Sequence, residues 1–406
     1  MPSTVPRRIL PVIVLSQFAG TSLWFAVNAV LPDLQRSWAL PPTAVATVTS
    51  AVQLGFVAGT LVFALLLLAD RFAPTRVFFT CALLAALCNA VIALLDGQFA
   101  WLVALRFAVG FLLAGIYPVG MKIAASWYRE GLGAALGVLV GALVLGTALP
   151  HGLRVLAGDG SLGWLAWGGL APWQSVVLAV SLLAVLGGLA TLLLVPARPA
   201  AGGGVPIRPQ ALAAIWSDRQ LRASVFGYFG HMWELYALYV LVPVIIATRF
   251  AGTQVSALAF WSIAAGAIGC AGGGLLARRF GSAAVAQWQL ATSAACCLAA
   301  PWLLAAPLPL FVGWLLLWGT TVVGDSPQFS TLTARNAPAA VVGSVLTFSN
   351  CIGFAISAAS IELFVRAAQA WPLSQVLPWL AAGPVIGLVM LRPLVRGSSA
   401  FPARVG

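Results

Sequence analysis

The sequence has very few charged residues. Asp, Glu, Lys and Arg make up 7% of its 406 residues, and lysine occurs once, as Lys122. Soluble domains carry roughly a quarter charged residues, so this composition excludes an ordinary soluble globular protein. Hydrophobic residues instead make up 61% of the chain, and the mean hydropathy is +1.01. Apolar runs near the ~20 residues that span a bilayer as a helix recur along the sequence. We therefore expect an all-α, polytopic membrane protein.

Motifs of enzymes and metal proteins are missing as well. There is no nucleotide-binding loop, zinc motif or nucleophile elbow, and the six cysteines contain no C-x-x-C spacing. We expect neither an enzyme nor a cofactor. The net charge of +12 could indicate nucleic-acid binding. The basic residues are scattered among short loops, however, and do not build one basic face, so no nucleic-acid partner is expected.

Apolar windows bounded by Pro, Gly or charge predict twelve membrane spans. The predicted spans are 9–31, 43–68, 77–95, 99–126, 132–153, 174–195, 221–247, 255–276, 285–305, 308–333, 340–364 and 374–394. With a cytoplasmic N-terminus, fifteen arginines fall on the inner side and four in outer loops. The positive-inside rule therefore places both termini in the cytoplasm. One lysine against twenty arginines, with much Ala, Gly and Leu, is typical of a GC-rich bacterial genome and favours a bacterial inner membrane.

The segment 197–220 differs from the other loops because it is polar and rich in Gly and Pro. Such a composition predicts a flexible linker. It lies at the midpoint of the chain and divides the sequence into an N-terminal six-helix bundle, 1–196, and a C-terminal six-helix bundle, 221–406.

The two halves repeat short patterns at a constant offset. "ADRFAPTR" (69–76) corresponds to "ARRFGSAA" (277–284), and "GIYPVG" (115–120) corresponds to "GDSPQF" (324–329). The offset of 208 to 209 residues also relates Trp24 to Trp233. These pairs indicate an internal duplication, which is common among transporters that work by alternating access.

These residues resemble the major facilitator superfamily along essentially the whole chain. In its loop motif G-x-x-x-D-R-x-G-x-x-R, Asp70, Arg71 and Arg76 match, and Arg279 matches in the second copy. The resemblance implies two pseudo-symmetric six-helix bundles and a cytoplasmic gate at these four residues. "RFAVG" (106–110) matches the R-x-x-x-G motif and implicates Arg106 in substrate or proton coupling.

Within the superfamily, two segments are similar to a bacterial subgroup near the nitrate, nitrite and cyanate porters. They are "AGIYPVGMKIAASWY" and "GDSPQFSTLTA". The resemblance also implies that the first, fourth, seventh and tenth helices line a central cavity.

Charged residues inside predicted spans are candidates for function, because a charge at the bilayer centre costs about 2.5–3.5 kcal/mol. Glu234 and His231 are three residues apart, on one face of the seventh span. A carboxylate at low dielectric can take up and release a proton during transport, so these two and Asp325 are candidates for proton coupling. A structural pair satisfied by hydrogen bonds between helices is the alternative.

The candidate substrate contacts lie on the spans that the resemblance places around the cavity. They are Asn28, Arg106, Lys122, Glu234, Tyr236, Asp325 and Gln328. The alternatives are an arginine that extends to the interface for Arg106, and packing or hydrogen bonding between helices for Asn28 and Tyr236.

We expect a monomeric secondary active transporter in a lipid bilayer that moves a small anionic solute together with protons. A polyspecific exporter of drugs or organic cations and a divalent-metal transporter remain alternatives. A membrane sensor that transports nothing is the alternative from another class of protein.

Overall fold

The computed structural model describes residues 6–128, 132–158, 169–198 and 207–398. Within these residues twelve helices are long and apolar enough to cross a membrane, and no strand occurs, which confirms the predicted fold class and number of spans. They are numbered α1 to α12 in chain order: Ile9–Trp38, Ala44–Leu65, Pro74–Leu94, Phe99–Trp127, Ala135–Gly158, Pro172–Leu194, Arg219–Ala247, Thr253–Phe280, Ser282–Leu303, Leu308–Asn336, Val342–Ala370 and Leu373–Val395.

Three predicted span ends fall short of the structure by five residues or more: α5 ends at Gly158 and not at 153, α11 ends at Ala370 and not at 364, and α1 differs most. The first span was expected to end at residue 31, before Pro32, but the helix runs to Trp38. Pro32 lies inside the helical segment Ala26–Trp38, and buried Leu34 keeps the following turn packed against the core. Tertiary packing has here outweighed the local preference of proline.

Several spans are interrupted near their middle. In α4 a turn separates Phe99–Leu113 from Tyr117–Trp127, and in α10 Asp325 separates Leu308–Gly324 from Ser326–Asn336. Each break precedes a proline, which lacks an amide hydrogen and clashes with the carbonyl four residues earlier. The two breaks lie at corresponding positions of the duplicated sequence. Such breaks free backbone polar groups, which a membrane protein tolerates only where protein or a cavity satisfies them.

The two halves contact each other on the side of the membrane-spanning region opposite the start of α1. Arg154 of α5 lies 3.1 Å from the carboxylate of Asp33 at the end of α1 and donates a hydrogen bond of 3.4 Å to Ser256 of α8. Deeper in the core, Ser50 of α2 donates to the carbonyl of Ala358 in α11 at 3.3 Å. These contacts hold one end of the interface between the halves closed.

The linker is described from residue 207 onward, while residues 199–206 lie outside the described residues. Gln210–Ser217 forms a helix, in which Ala211 and Ile215 are buried against Leu221 and Val345. The described part of the linker is thus packed against the C-terminal half. The division of the chain into two bundles at 197–220 remains a prediction.

Candidate substrate and proton sites

His231 and Asp325 meet in the core of the C-terminal half. Nδ1 of His231 in α7 lies 2.8 Å from Oδ1 of Asp325, and each side chain is 1% exposed. The two atoms stand at ion-pair distance, and His231 Nε2 and Asp325 Oδ2 have no hydrogen-bond partner among the described residues. The break in α10 places Asp325 here, between two helical segments. With one shared proton the pair is neutral, as imidazolium and carboxylate or as imidazole and carboxylic acid.

Glu234 lies one turn further along α7 and is held by donors from two other helices. Its Oε1 accepts hydrogen bonds from Ser293 Oγ (2.6 Å), Trp318 Nε1 (2.6 Å) and Cys297 Sγ (3.1 Å). The side chain is 1% exposed, and no cationic side chain within the described residues pairs with it. Burying an unpaired carboxylate is costly, so a proton on Glu234 or a cation beside it would stabilise this site.

Sequence reasoning missed the three donors to Glu234. Ser293 and Cys297 are four residues apart and therefore share one face of α9. Two small polar residues at that spacing in an apolar helix are the signal that could have identified them. Trp318 lies in an apolar stretch of α10 and gives no such signal.

Arg106 closes the break in α1. Its guanidinium is fully buried and donates to the carbonyls of Leu23 (2.9 Å) and Trp24. These carbonyls belong to the 3₁₀ turn Ser22–Trp24, which interrupts the α-helical ladder of α1 and exposes backbone acceptors. Nε of Arg106 has no hydrogen-bond partner among the described residues. The side chain thus points into the bundle, away from the membrane interface.

Lys122 forms an ion pair with Asp70, the acidic residue of the loop motif. Its Nζ lies 2.6 Å from Oδ1 of Asp70, which belongs to the short helix Leu68–Arg71 after α2. The contact ties the inner half of α4 to the loop motif. Arg279 lies over the ring of Phe280, with 5.3 Å to the ring centroid. Among the described residues no ion pair involves Arg71, Arg76 or Arg279, and their role in a gate remains a prediction.

Replacing Lys122 by glutamine is expected to lower the free energy of unfolding by less than about 1 kcal/mol, as is usual for partly exposed ion pairs. The two side chains are 29% and 24% exposed, so water already screens the attraction. Thermal unfolding of the purified protein measures the change. Loss of solute binding at unchanged stability would instead show that Lys122 contacts the substrate.

An aromatic cluster connects the two halves at mid-depth. The ring of Trp24 in α1 stacks on Tyr236 of α7, with 6.0 Å between centroids, and on Phe354 of α11, with 5.4 Å. Phe25 also stacks on Tyr236, and Tyr239 meets Phe25 edge to face. Aromatic faces from both halves therefore form one continuous wall.

Amide side chains border this aromatic wall. Trp24 Nε1 donates to Gln53 Oε1 (3.2 Å), and Asn28 Nδ2 donates to Thr49 Oγ1 (2.6 Å). Asn28 Oδ1, Gln53 Nε2 and the hydroxyl of Tyr239 are buried without a hydrogen-bond partner among the described residues. Unsatisfied buried polar atoms cost about 1–3 kcal/mol each, so a bound polar group would stabilise this region.

Gln328 lies on the inner segment of α10, and its backbone N–H donates to the backbone carbonyl of Asp325 at 2.9 Å. The side chain is buried. Within the described residues, no group of three or more His, Cys, Asp or Glu side chains is placed to hold a metal ion. His231, Glu234 and Asp325 therefore do not form such a group in the described structure.

Comparisons with known proteins identify the fold. The family model described as Major Facilitator Superfamily matches residues 13–361. A bacterial homologue of the human lysosomal transporter Spinster, in an inward-facing and unoccupied conformation, superimposes with a TM-score of 0.69 at 15% identity, over 98% of this chain and 96% of that chain. The same homologue description in an inward-facing, occupied conformation gives 0.70 at 14% identity, over 96% of each chain. No curated protein matches. The finer similarity to nitrate, nitrite and cyanate porters remains a prediction.

Proposed function

Because the chain belongs to the major facilitator superfamily, it is a multi-pass membrane transporter and not an enzyme, and we propose that it carries an organic cation by alternating access, coupled to protons. The observation that carries this proposal is the distribution of charge in the membrane-spanning core. Glu234 and Asp325 are buried in the C-terminal half, whereas the two cations of α4, Arg106 and Lys122, are bound to groups of the chain itself.

The proposed location is a bacterial inner membrane, with both termini in the cytoplasm and the protein acting as a monomer. The excess of arginine on the inner side supports this orientation.

Coupling follows from competition for one carboxylate. A proton or the positive charge of a solute can neutralise Glu234, but the two do not fit together in a buried site. Binding of the solute therefore releases a proton, and protonation releases the solute. The His231–Asp325 pair, one turn away on α7, provides a second group that exchanges protons. The two movements are thereby coupled in opposite directions.

The aromatic wall and its amide groups suit a solute with a flat apolar body. The faces of Trp24 and Tyr236, which stack on each other in this conformation, would attract a cation electrostatically once the two halves move apart. The free amide atoms of Asn28 and Gln53 offer one acceptor and one donor. In this proposal Asn28 and Tyr236 contact the substrate, while Gln328 lies beside the proton-exchanging Asp325.

A small anion is the second candidate for the solute. The unpartnered Nε of Arg106 favours it, because a buried guanidinium is a strong anion-binding group. In the described structure, however, the terminal nitrogens of Arg106 are engaged by the carbonyls of α1. An anion would have to compete with those carbonyls.

A thermal-shift experiment on the purified full-length protein tests the proposal. We expect tetraphenylphosphonium to stabilise the protein more at neutral than at acidic pH, since protons compete for Glu234, and benzoate and nitrate to have little effect. The stabilisation should vanish in Glu234→Gln and persist in Glu362→Gln, the same change at a partly exposed site paired with Arg366. Stabilisation by anions alone that requires Arg106 would overturn the cation in favour of the second candidate.

A further inference from the structure

The inference concerns a groove on the outside of the C-terminal half, between α9 and α10. It has a volume of about 370 Å³, and its walls are formed by residues of α9 between Thr292 and Leu303 and of α10 between Pro309 and Leu317. Neither the solute nor the proton pathway proposed above uses it.

The groove opens onto the membrane-facing surface. Large apolar side chains on the same two helices are strongly exposed: Leu298 by 51%, Trp302 by 74%, Leu310 by 59% and Leu317 by 49%. In a helix of a membrane-spanning protein, such side chains contact lipid. The groove is therefore continuous with the lipid interface, and what fills it comes from the bilayer.

The lining is suited to hydrocarbon and not to a polar group. The hydroxyl of Thr292 donates to the carbonyl of Trp288 at 2.9 Å, and the indole of Trp314 donates to the carbonyl of Cys296 at 3.0 Å. Both donors are therefore satisfied by backbone. An alkyl chain in the groove gains van der Waals contacts with these apolar side chains and leaves no polar atom without its partner.

The length of the groove matches one leaflet of a bilayer. The eleven residue steps from Thr292 to Leu303 rise about 16 Å at 1.5 Å per residue. Half of the ~30 Å hydrocarbon core is about 15 Å. The groove begins at the end of α9 and the start of α10, and it runs along the helices toward mid-depth. This is the course of an acyl chain whose head group lies at the surface opposite the termini.

From these observations we propose that the groove is a binding site for one acyl chain of a phospholipid in the leaflet opposite the termini. The groove lies next to the donors of Glu234. Cys297 and Trp318 donate to that carboxylate, and the groove is lined by Cys296, the residue before Cys297, and by Trp314, one turn before Trp318. A bound acyl chain keeps this wall packed from the outside. The proposal does not depend on which solute is carried.

The test uses full-length protein extracted from its membrane and measured by native mass spectrometry for retained phospholipid. Gly313 lines the groove, and a Cβ added there meets no atom within 4 Å, so Gly313→Phe places its ring in the groove. We expect it to reduce retained phospholipid at least about fivefold, a change of about 1 kcal/mol in binding free energy. Gly272→Phe in α8 also meets no atom within 4 Å and is the matched control, which should retain lipid as the wild type does.

A second measurement locates the lipid. The protein is reconstituted in phosphatidylcholine vesicles that contain a phospholipid with a photoreactive diazirine on its acyl chain, and labelled peptides are mapped. Label concentrated on residues 292–317, and lost in Gly313→Phe, supports the site. Uniform label over the exposed helices, unchanged lipid retention in Gly313→Phe, or crosslinks of this groove to a second copy of the chain would each overturn the proposal.

Discussion

Replacement of Glu234 by glutamine is expected to stop proton movement driven by the solute and to leave the fold intact. Glutamine has the same shape, and its side-chain oxygen can still accept hydrogen bonds from Ser293 and Trp318. It cannot, however, bind and release a proton at neutral pH. In proteoliposomes with an internal pH-sensitive dye, addition of tetraphenylphosphonium should change the internal pH in wild type. The initial rate should fall at least about tenfold in the variant, a difference of about 1.4 kcal/mol or more.

Glu362→Gln provides the control for this result. Glu362 forms an i, i+4 pair with Arg366 near the end of α11 and is partly exposed, so the same chemical change there should leave proton movement unaffected. Proton movement at the wild-type rate in Glu234→Gln would remove Glu234 from the coupling mechanism. The His231–Asp325 pair would then be the remaining candidate among the described residues.

Replacement of Arg106 by methionine is expected to destabilise the protein by about 3 kcal/mol or more, because buried carbonyls then lack charged donors. The carbonyls of Leu23 and Trp24 accept from Arg106 at the break in α1, and no other side-chain donor to them is recorded within the described residues. The free energy of unfolding can be measured by titration with denaturing detergent in mixed micelles. Loss of these hydrogen bonds should also loosen the stacking of Trp24 in the aromatic wall, since Trp24 belongs to the same turn.

Two further variants separate the charge of Arg106 from its geometry. Arg366→Met changes an arginine that is 66% exposed and should cost less than about 1 kcal/mol. Arg106→Lys keeps the charge but cannot present the planar fork that serves two carbonyls, so it should destabilise nearly as much as methionine. Wild-type stability of Arg106→Lys, together with loss of anion binding, would instead show that the charge of Arg106 acts on the solute.

The positions of the spans and of the proline breaks can be predicted from the sequence, because segment length, hydropathy and the effect of proline are local properties. Pro118 and Pro327 stand at corresponding positions of the two repeats, and the observed interruptions of α4 and α10 lie just before them. The break at Ser22–Trp24 had no such signal, since neither proline nor glycine occurs within it. It is held by Arg106, a residue more than eighty positions away, and such a tertiary cause is invisible in a local pattern.

The contacts within the candidate site are harder to predict from the sequence. His231 and Asp325 could be placed on two helices of the expected cavity, but their separation of 2.8 Å depends on how each helix is rotated about its axis. In spans that are apolar on all sides, hydrophobic periodicity does not fix that rotation. The same limit hid Trp318, whose indole reaches Glu234 from a stretch of α10 composed almost entirely of apolar residues.

The stacking of Trp24 on Tyr236 and Phe354 has a mechanical consequence. Alternating access requires the two halves to rock against each other, and the rings from the C-terminal half must then shift across the face of Trp24. Offset stacking is favourable over a range of lateral positions, whereas a hydrogen bond is lost once its donor turns away. The indole is anchored on its own half through Gln53. The aromatic wall therefore lets the rings of the two halves shift sideways while they stay in contact at mid-depth, as the ends of the halves open and close.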